Sequence, residues 1–227
     1  MTQEPKPPDE CERRVSCPRC GAAHALCLVT VLRPGEQNLS LFFKGRLNEV
    51  ACSGCQARFT VETPILFRDD ERRYLAYLLP SDEPAAWRDA ERQMERLTKS
   101  VFGNDQAQLP CCRLALTRRS FVEKIALHLN RLDDRIVEYL KYQLYQRREQ
   151  RLDPIRSELY YDFTASNSER LAFLVFDREF GKAVAAAHLP MEVYREVAEI
   201  FLGEGQAKTD IDGLFPGYYV SVERLVL

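Results

Sequence analysis

The chain has 227 residues and a mass of 26.3 kDa; 45 % of its residues are hydrophobic, 29 % are charged, and the net charge is −2. That composition is ordinary for a folded soluble protein of one large domain or two small ones, and no apolar run approaches the roughly 18 residues of a membrane span. The charge is unevenly laid out: residues 11–60 carry seven Lys/Arg against three Asp/Glu, residues 157–227 six against twelve, and a local surplus of four is too small to argue for nucleic acid by itself.

Taken in chain order, Met1 to Glu10 is polar and Pro-rich, without the apolar stretch of a signal peptide. Residues 1–12 therefore read as a disordered leader, and the expected compartment is the reducing cytoplasm. Next come Cys17-Pro18-Arg19-Cys20-Gly21 and, after a β-like stretch, Cys52-Ser53-Gly54-Cys55. Each pair is C-x-x-C, the spacing at which two thiolates of one tight turn bind the same metal ion. Two such turns give a tetrahedron of four thiolates, the usual closed structural Zn2+ site. Disulfides suit a secreted chain, and a redox C-x-x-C would be followed by a helix, whereas Cys20-Gly21 runs into an extended stretch. The expected ligands are Cys17, Cys20, Cys52 and Cys55.

Pro18 pre-sets the first turn and Gly21 gives a permissive backbone after the second ligand. The second turn has Ser53 in place of proline and Gln56 where the glycine would be, so a looser geometry is expected there. Cys11, Cys27, Cys111 and Cys112 read as apolar thiols with no role beyond packing, because no spacing unites them with His24, His128 or His188. His24 is at most an alternative ligand beside four thiolates.

Strands are expected at about 24–32, 46–51, 58–67 and 74–79, with a short helix at 38–44. This is a zinc ribbon over residues 13–80, with few large apolar residues. A helical segment, 81–150, follows. Its first helix starts near Ser81 and carries the stripe Trp87, Ala90, Met94, Leu97 and Val101 up to Gly103. A short strand at 112–117 precedes a helix opened by the capping box Ser120-Phe121-Val122-Glu123. Asp133 or Asp134 caps the next, lined by Ile136, Val137, Leu140 and Leu144, with Tyr139, Tyr142 and Tyr145 alongside and a solvated end at 147–151. The C-terminal α+β unit, 151–227, has a hairpin of 159–164 and 171–176, a strand at 183–188, a helix at 191–202 ended by Gly203, and a last apolar strand from Gly217 to Leu227. The fold class is α+β.

The two cysteine pairs, with Phe59, the Thr63-Pro64 step, Leu75 to Pro80, Glu123-Lys124-Ile125 and Leu132-Asp133-Asp134-Arg135, resemble the CpXC domain family. That family is an uncharacterised bacterial and archaeal group with a presumed zinc ribbon. The resemblance covers roughly residues 15–145 and implies a metal-ligand role for Cys17, Cys20, Cys52 and Cys55. The second motif departs from the family pattern at Ser53. No reaction comes with the family.

Enzyme motifs are missing: there is no P-loop, H-E-x-x-H, G-x-S-x-G or Gly-rich dinucleotide turn, and three histidines leave few nucleophile–base arrangements. His128 reads as a packed or surface histidine and Asp133-Asp134 as a cap rather than an acid pair. The expected function is a non-enzymatic protein-interaction, scaffold or adaptor module with a structural zinc. The expected partner is another protein, with Trp87 or the tyrosine series as an aromatic anchor, and no membrane is involved. The alternative is a nucleic-acid-binding or transcription-linked regulator using Arg13, Arg14, Arg19, Lys44, Arg46 and Arg58 on phosphates.

Overall fold

The computed structural model describes residues 10–81, 83, 86–102, 109–147, 152–202 and 206–226. Most of the expected leader lies outside these residues, as do the helix stops at Gly103 and Gly203 and most of the solvated helix end after Arg147. Strand β1 (Glu10–Ser16) pairs antiparallel with β2 (Ala23–Val29), with Glu12 opposite Cys27. The leader therefore ends earlier than expected: Glu10 to Glu12 are held by the ladder to β2.

The chain then passes through β3 (Val31–Leu32), α1 (Gln37–Phe43) and a second small hairpin, β4 (Glu49–Ala51) with β5 (Arg58–Thr60). The single strand expected over 58–67 breaks at Thr63-Pro64, where proline offers no N–H to a ladder. It resumes as β6 (Ile65–Asp69), which pairs parallel with β3 and antiparallel with β7 (Tyr74–Leu78). Alternation in both strands is strict, with Ile65, Phe67, Tyr74, Ala76 and Leu78 buried on one face. Beyond α2 (Ala86–Phe102), β8 (Cys111–Ala115) joins this sheet parallel to β7, giving the order β3-β6-β7-β8. The long α2 connection is what a parallel crossover needs. The sheet thus crosses residue 80, the expected edge of the ribbon.

Helix α3 (Arg118–Leu129) packs Phe121 and Ile125 against that sheet. It starts earlier than the capping-box reading: Thr117 is the cap, accepting from Ser120 N at 3.1 Å, while the Ser120 hydroxyl accepts from Thr117 N at 3.3 Å. Glu123 is free to turn inward instead. Asp133 caps α4 (Asp134–Gln146), accepting from Arg135 N at 2.9 Å. Asp134 points to Arg113, whose Nε lies 2.7 Å from its Oδ2.

A second sheet has the order β11-β10-β9, from β9 (Ser157–Tyr161), β10 (Arg170–Asp177) and β11 (Ala183–Pro190), all antiparallel. Pro190 leads into α5 (Met191–Leu202), which packs with α4 over this sheet around Leu140, Leu144, Phe173, Leu189 and Tyr194. Helix α6 (Gln206–Leu214), not foreseen, follows and buries Ile211 in the same core. The expected final strand is replaced by an irregular segment and α7 (Glu223–Val226). The cause is local: Glu91 accepts the N–H groups of Tyr218 and Tyr219 at 2.9 and 2.7 Å, and Leu114 N donates to Tyr218 O at 2.9 Å. These bonds hold the segment against α2 and β8 and leave it no strand partner of its own. The fold is α+β, with a cysteine cluster at one end, helices in the middle and an antiparallel sheet at the other. Among the described residues no helix is long and apolar enough to cross a membrane.

Candidate metal centre

Two turns build the site. In the first, Cys17 N donates to Ala22 O at 2.8 Å and Gly21 N to Cys17 O at 2.9 Å; in the second, Cys52 N donates to Ala57 O at 2.8 Å and Gln56 N to Cys52 O at 2.9 Å. The expected looseness of the second turn is therefore absent. Gly21 has φ +74° and Gln56 φ +59°, so the glutamine adopts the same left-handed backbone. A side chain tolerates that region at about 1–2 kcal/mol. Replacing Gln56 by glycine removes this strain but adds unfolded-state entropy, and the net expectation is a stability gain of about 0.5–1 kcal/mol. Urea melts of metal-loaded Gln56→Gly against the parent protein check it; a loss of stability would mean that the glutamine side chain does something the turn needs.

The turns face each other. Cys17 Sγ lies 3.7 Å from Cys55 Sγ, and Cys20 Sγ 3.5 Å from Cys52 Sγ. All four sulfurs are within 4.8 Å of one another, a group that could hold a metal ion. Cys17 and Cys52 are buried, Cys55 is half-buried and Cys20 is exposed. A carbon branch on Gly54 would make ordinary van der Waals contact with Ala22 Cβ at 3.5 Å and Cys20 Sγ at 3.6 Å, so Gly54 lies directly against the sulfurs. Asn48 ties the hairpins together at the ends opposite their cysteine turns, its Oδ1 accepting from Val29 N at 2.9 Å and its Nδ2 donating to Val29 O at 3.0 Å.

The thiols are electrostatically inequivalent. Burial raises the Cys17 pKa, but amide bonds from Cys20 and Arg19 and the neighbouring sulfurs outweigh it and bring it to about 6. At Cys55 the Ala57 amide favours the thiolate, yet burial and the other three sulfurs win and push the pKa up to about 12. Four thiolates this close repel one another, so all four ionise only with a cation among them.

The other candidates stay apart. His24 is half-buried and tilted against Phe59, with ring centroids 6.3 Å apart, and lies outside the sulfur group. His128 Nε2 lies 2.8 Å from Asp69 Oδ2, and its ring stacks on Tyr74 at 3.9 Å. Of the four remaining cysteines only Cys112 is buried, where burial raises its pKa to about 11; Cys11 is half-buried, and Cys27 and Cys111 are exposed, against the packing expectation. Both exposed thiols lie on edge strands at positions that point away from a core. Trp87 stacks on Tyr219 at 5.8 Å, Tyr139 meets Phe201 edge-on at 5.0 Å, and the buried Tyr145 donates to Ser157 O at 3.0 Å. These aromatic residues are engaged within the protein.

A family model described as CpXC protein matches residues 15–141. The chain belongs to the CpXC family. The matched span of this CpXC protein runs from the end of β1, just before the first turn of the centre, into α4. Searches of curated proteins and of solved structures returned no match. Missed by sequence reasoning is the ionic network of Glu123, Lys124, Glu138 and Lys141, all buried. The only signal for them was their presence on otherwise apolar helix faces.

Proposed function

We propose that this CpXC protein is a non-enzymatic binding protein, in which a structural Zn2+ held by Cys17, Cys20, Cys52 and Cys55 fixes two hairpins as a docking head for another protein. The observation that carries this reading is the four-sulfur group. A tetrahedron with zinc–sulfur distances of about 2.3 Å has sulfur–sulfur edges of about 3.8 Å. The separations of 3.7 and 3.5 Å fit it. Four thiolates complete the coordination shell, so the metal supplies folding energy and has no position left for a substrate. The missing sequence motifs named above agree with a role without catalysis.

Support for a protein partner comes from the edges and charges. Each hairpin is a two-stranded sheet by itself, so its outer strand edges pair with no other strand among the described residues. Such edges suit the addition of a partner's strand. The exposed cations around the turns are partly spent: Arg46 and Arg58 both pair with Glu49, at 3.4 and 3.5 Å. The acidic C-terminal portion would repel a phosphate backbone.

Elemental analysis of fresh protein is expected to give about one zinc per chain, lost in the double variant Cys17→Ser/Cys52→Ser. Co-purification from the native host is expected to recover a protein partner that survives nuclease treatment and is lost when the outer edge of β2 is blocked by Cys27→Pro, whose N–H faces away from β1 on the same side as that of Val29. Less than half an equivalent of zinc sinks the metal assignment. Sub-micromolar, sequence-selective nucleic-acid binding at physiological salt, with no protein recovered, sinks the partner assignment.

A further inference from the structure

The chain buries five ionic side chains in one network: Glu123, Lys124, Asp134, Glu138 and Lys141, each at most 6 % exposed. Lys141 Nζ lies 2.7 Å from Glu123 Oε1 and 3.0 Å from Glu138 Oε1; Lys124 Nζ lies 2.9 Å from Asp134 Oδ2 and 3.3 Å from Glu138 Oε1. A buried ion network is no more stabilising than well-packed apolar side chains of the same volume, so stability alone does not account for it. Four of the five, all but Asp134, line a cavity of about 650 Å³. That is within the roughly 300–1,000 Å³ of small-molecule sites.

A second tier of charge lines the same cavity. Arg178 donates from Nη1 to Glu158 Oε1 at 2.6 Å and from Nη2 to Glu223 Oε1 at 2.9 Å. The other oxygens of those carboxylates accept from Tyr160 Oη at 3.0 Å and Tyr219 Oη at 2.7 Å. The Tyr160 ring lies 5.8 Å from Lys141 Nζ and links the tiers. Cations and carboxylates alternate in both.

The chemistry of the lining selects the ligand. Five carboxylates and five Lys/Arg cations face the cavity. A bare anion or a bare cation gains from one half of this lining and is repelled by the other. A neutral polyol offers hydrogen bonds without charge, and bonds between two ionised groups are roughly twice as strong as neutral ones. A molecule carrying both an ammonium and a carboxylate matches both signs at once. We propose that this cavity binds a small zwitterion, an amino acid or a short peptide, between the Lys141 and Arg178 tiers. The proposal is independent of the metal centre, which lies on other elements.

Isothermal titration calorimetry on the metal-loaded full chain tests it, with the common L-α-amino acids and glycylglycine as zwitterions, glucose as polyol and inorganic phosphate as anion. The expected result is a dissociation constant at or below about 1 mM for at least one zwitterion. Blocking either ligand charge, by N-acetylation or C-amidation, should weaken binding by about tenfold or more, and Arg178→Met should do the same. The blocked ligands leave the protein intact, so the test does not depend on that variant folding. No heat from any zwitterion, equal binding of the blocked forms, unchanged affinity in a folded Arg178→Met, or tighter binding of glucose or phosphate overturns the proposal.

Discussion

Stripping the metal from this protein is expected to melt the β1–β2 and β4–β5 hairpins and leave the rest folded. In residues 10–29 and 49–60 only Cys17, Leu28 and Cys52 are buried hydrophobics, and two of these three are proposed ligands. Two-stranded hairpins are marginal in water without such support. Structural zinc supplies on the order of 10 kcal/mol, far more than the Asn48 clamp at about 1 kcal/mol per hydrogen bond. The sheet β3-β6-β7-β8 has its own core with α3 around Phe67, Leu78, Phe121 and Ile125, so it does not depend on the centre. Hydrogen exchange before and after chelation should therefore show protection lost over 10–29 and 49–60 and kept over 65–78 and 111–145. Loss of protection along the whole chain would mean that the hairpins and the two cores unfold as one unit.

The parts of this molecule that were legible in its sequence are those whose cause is local. A C-x-x-C turn brings its two sulfurs together within four residues, so Cys17, Cys20, Cys52 and Cys55 could be paired before any fold was known, and the sulfurs do converge. The β9–β10 hairpin and the start of α5 at Met191 likewise follow from a period of two, a polar turn and Pro190. What was not legible depends on distant partners. Ser120-Phe121-Val122-Glu123 has the pattern of a capping box, but Glu123 is taken by Lys141 Nζ and by Tyr161 N, which donates to it at 2.6 Å. The run after Gly217 has the apolar content of a strand, yet Glu91, more than a hundred residues earlier, grips its first amides. Helix α6 is hard to read because its stripe, Ala207, Ile211 and Leu214 at i, i+4 and i+7, is short and polar residues and Gly213 interrupt it. The glutamine in the second metal turn was misread for the opposite reason: glycine is the usual occupant of a left-handed position, not a requirement for it.

Replacing Glu138 by alanine is expected to cost about 3–5 kcal/mol, the usual penalty for removing one partner from a buried ion network. Glu138 is the hub. Its Oε1 serves both Lys124 and Lys141, and its Oε2 accepts from Val222 N at 2.8 Å. Alanine there leaves two buried ammonium groups short of charge and an orphaned amide, and it detaches the C-terminal segment from α4. Against a total stability of about 5–15 kcal/mol for a protein of this kind, that is a large share. Acid should expose the same dependence. Burial opposes ionisation of Asp134, but Arg113 and Lys124 outweigh it and hold its pKa below the usual carboxylate range. Glu138 is held low in the same way by Lys141 and Lys124. A carboxylate whose folded pKa is depressed stabilises the native state above its unfolded pKa, near 4, and that stability is lost as pH falls through the lower folded value. Glu123 acts in the opposite sense, since burial outweighs Lys141 and raises its pKa, so it partly offsets the loss. Urea melts of the parent protein and of Glu138→Ala from pH 7 down to about pH 3 should therefore converge: the variant starts several kcal/mol lower and falls less. A neutral-pH cost below about 1 kcal/mol, or parallel curves across the range, would show that solvent in the cavity already satisfies Lys124 and Lys141 without Glu138.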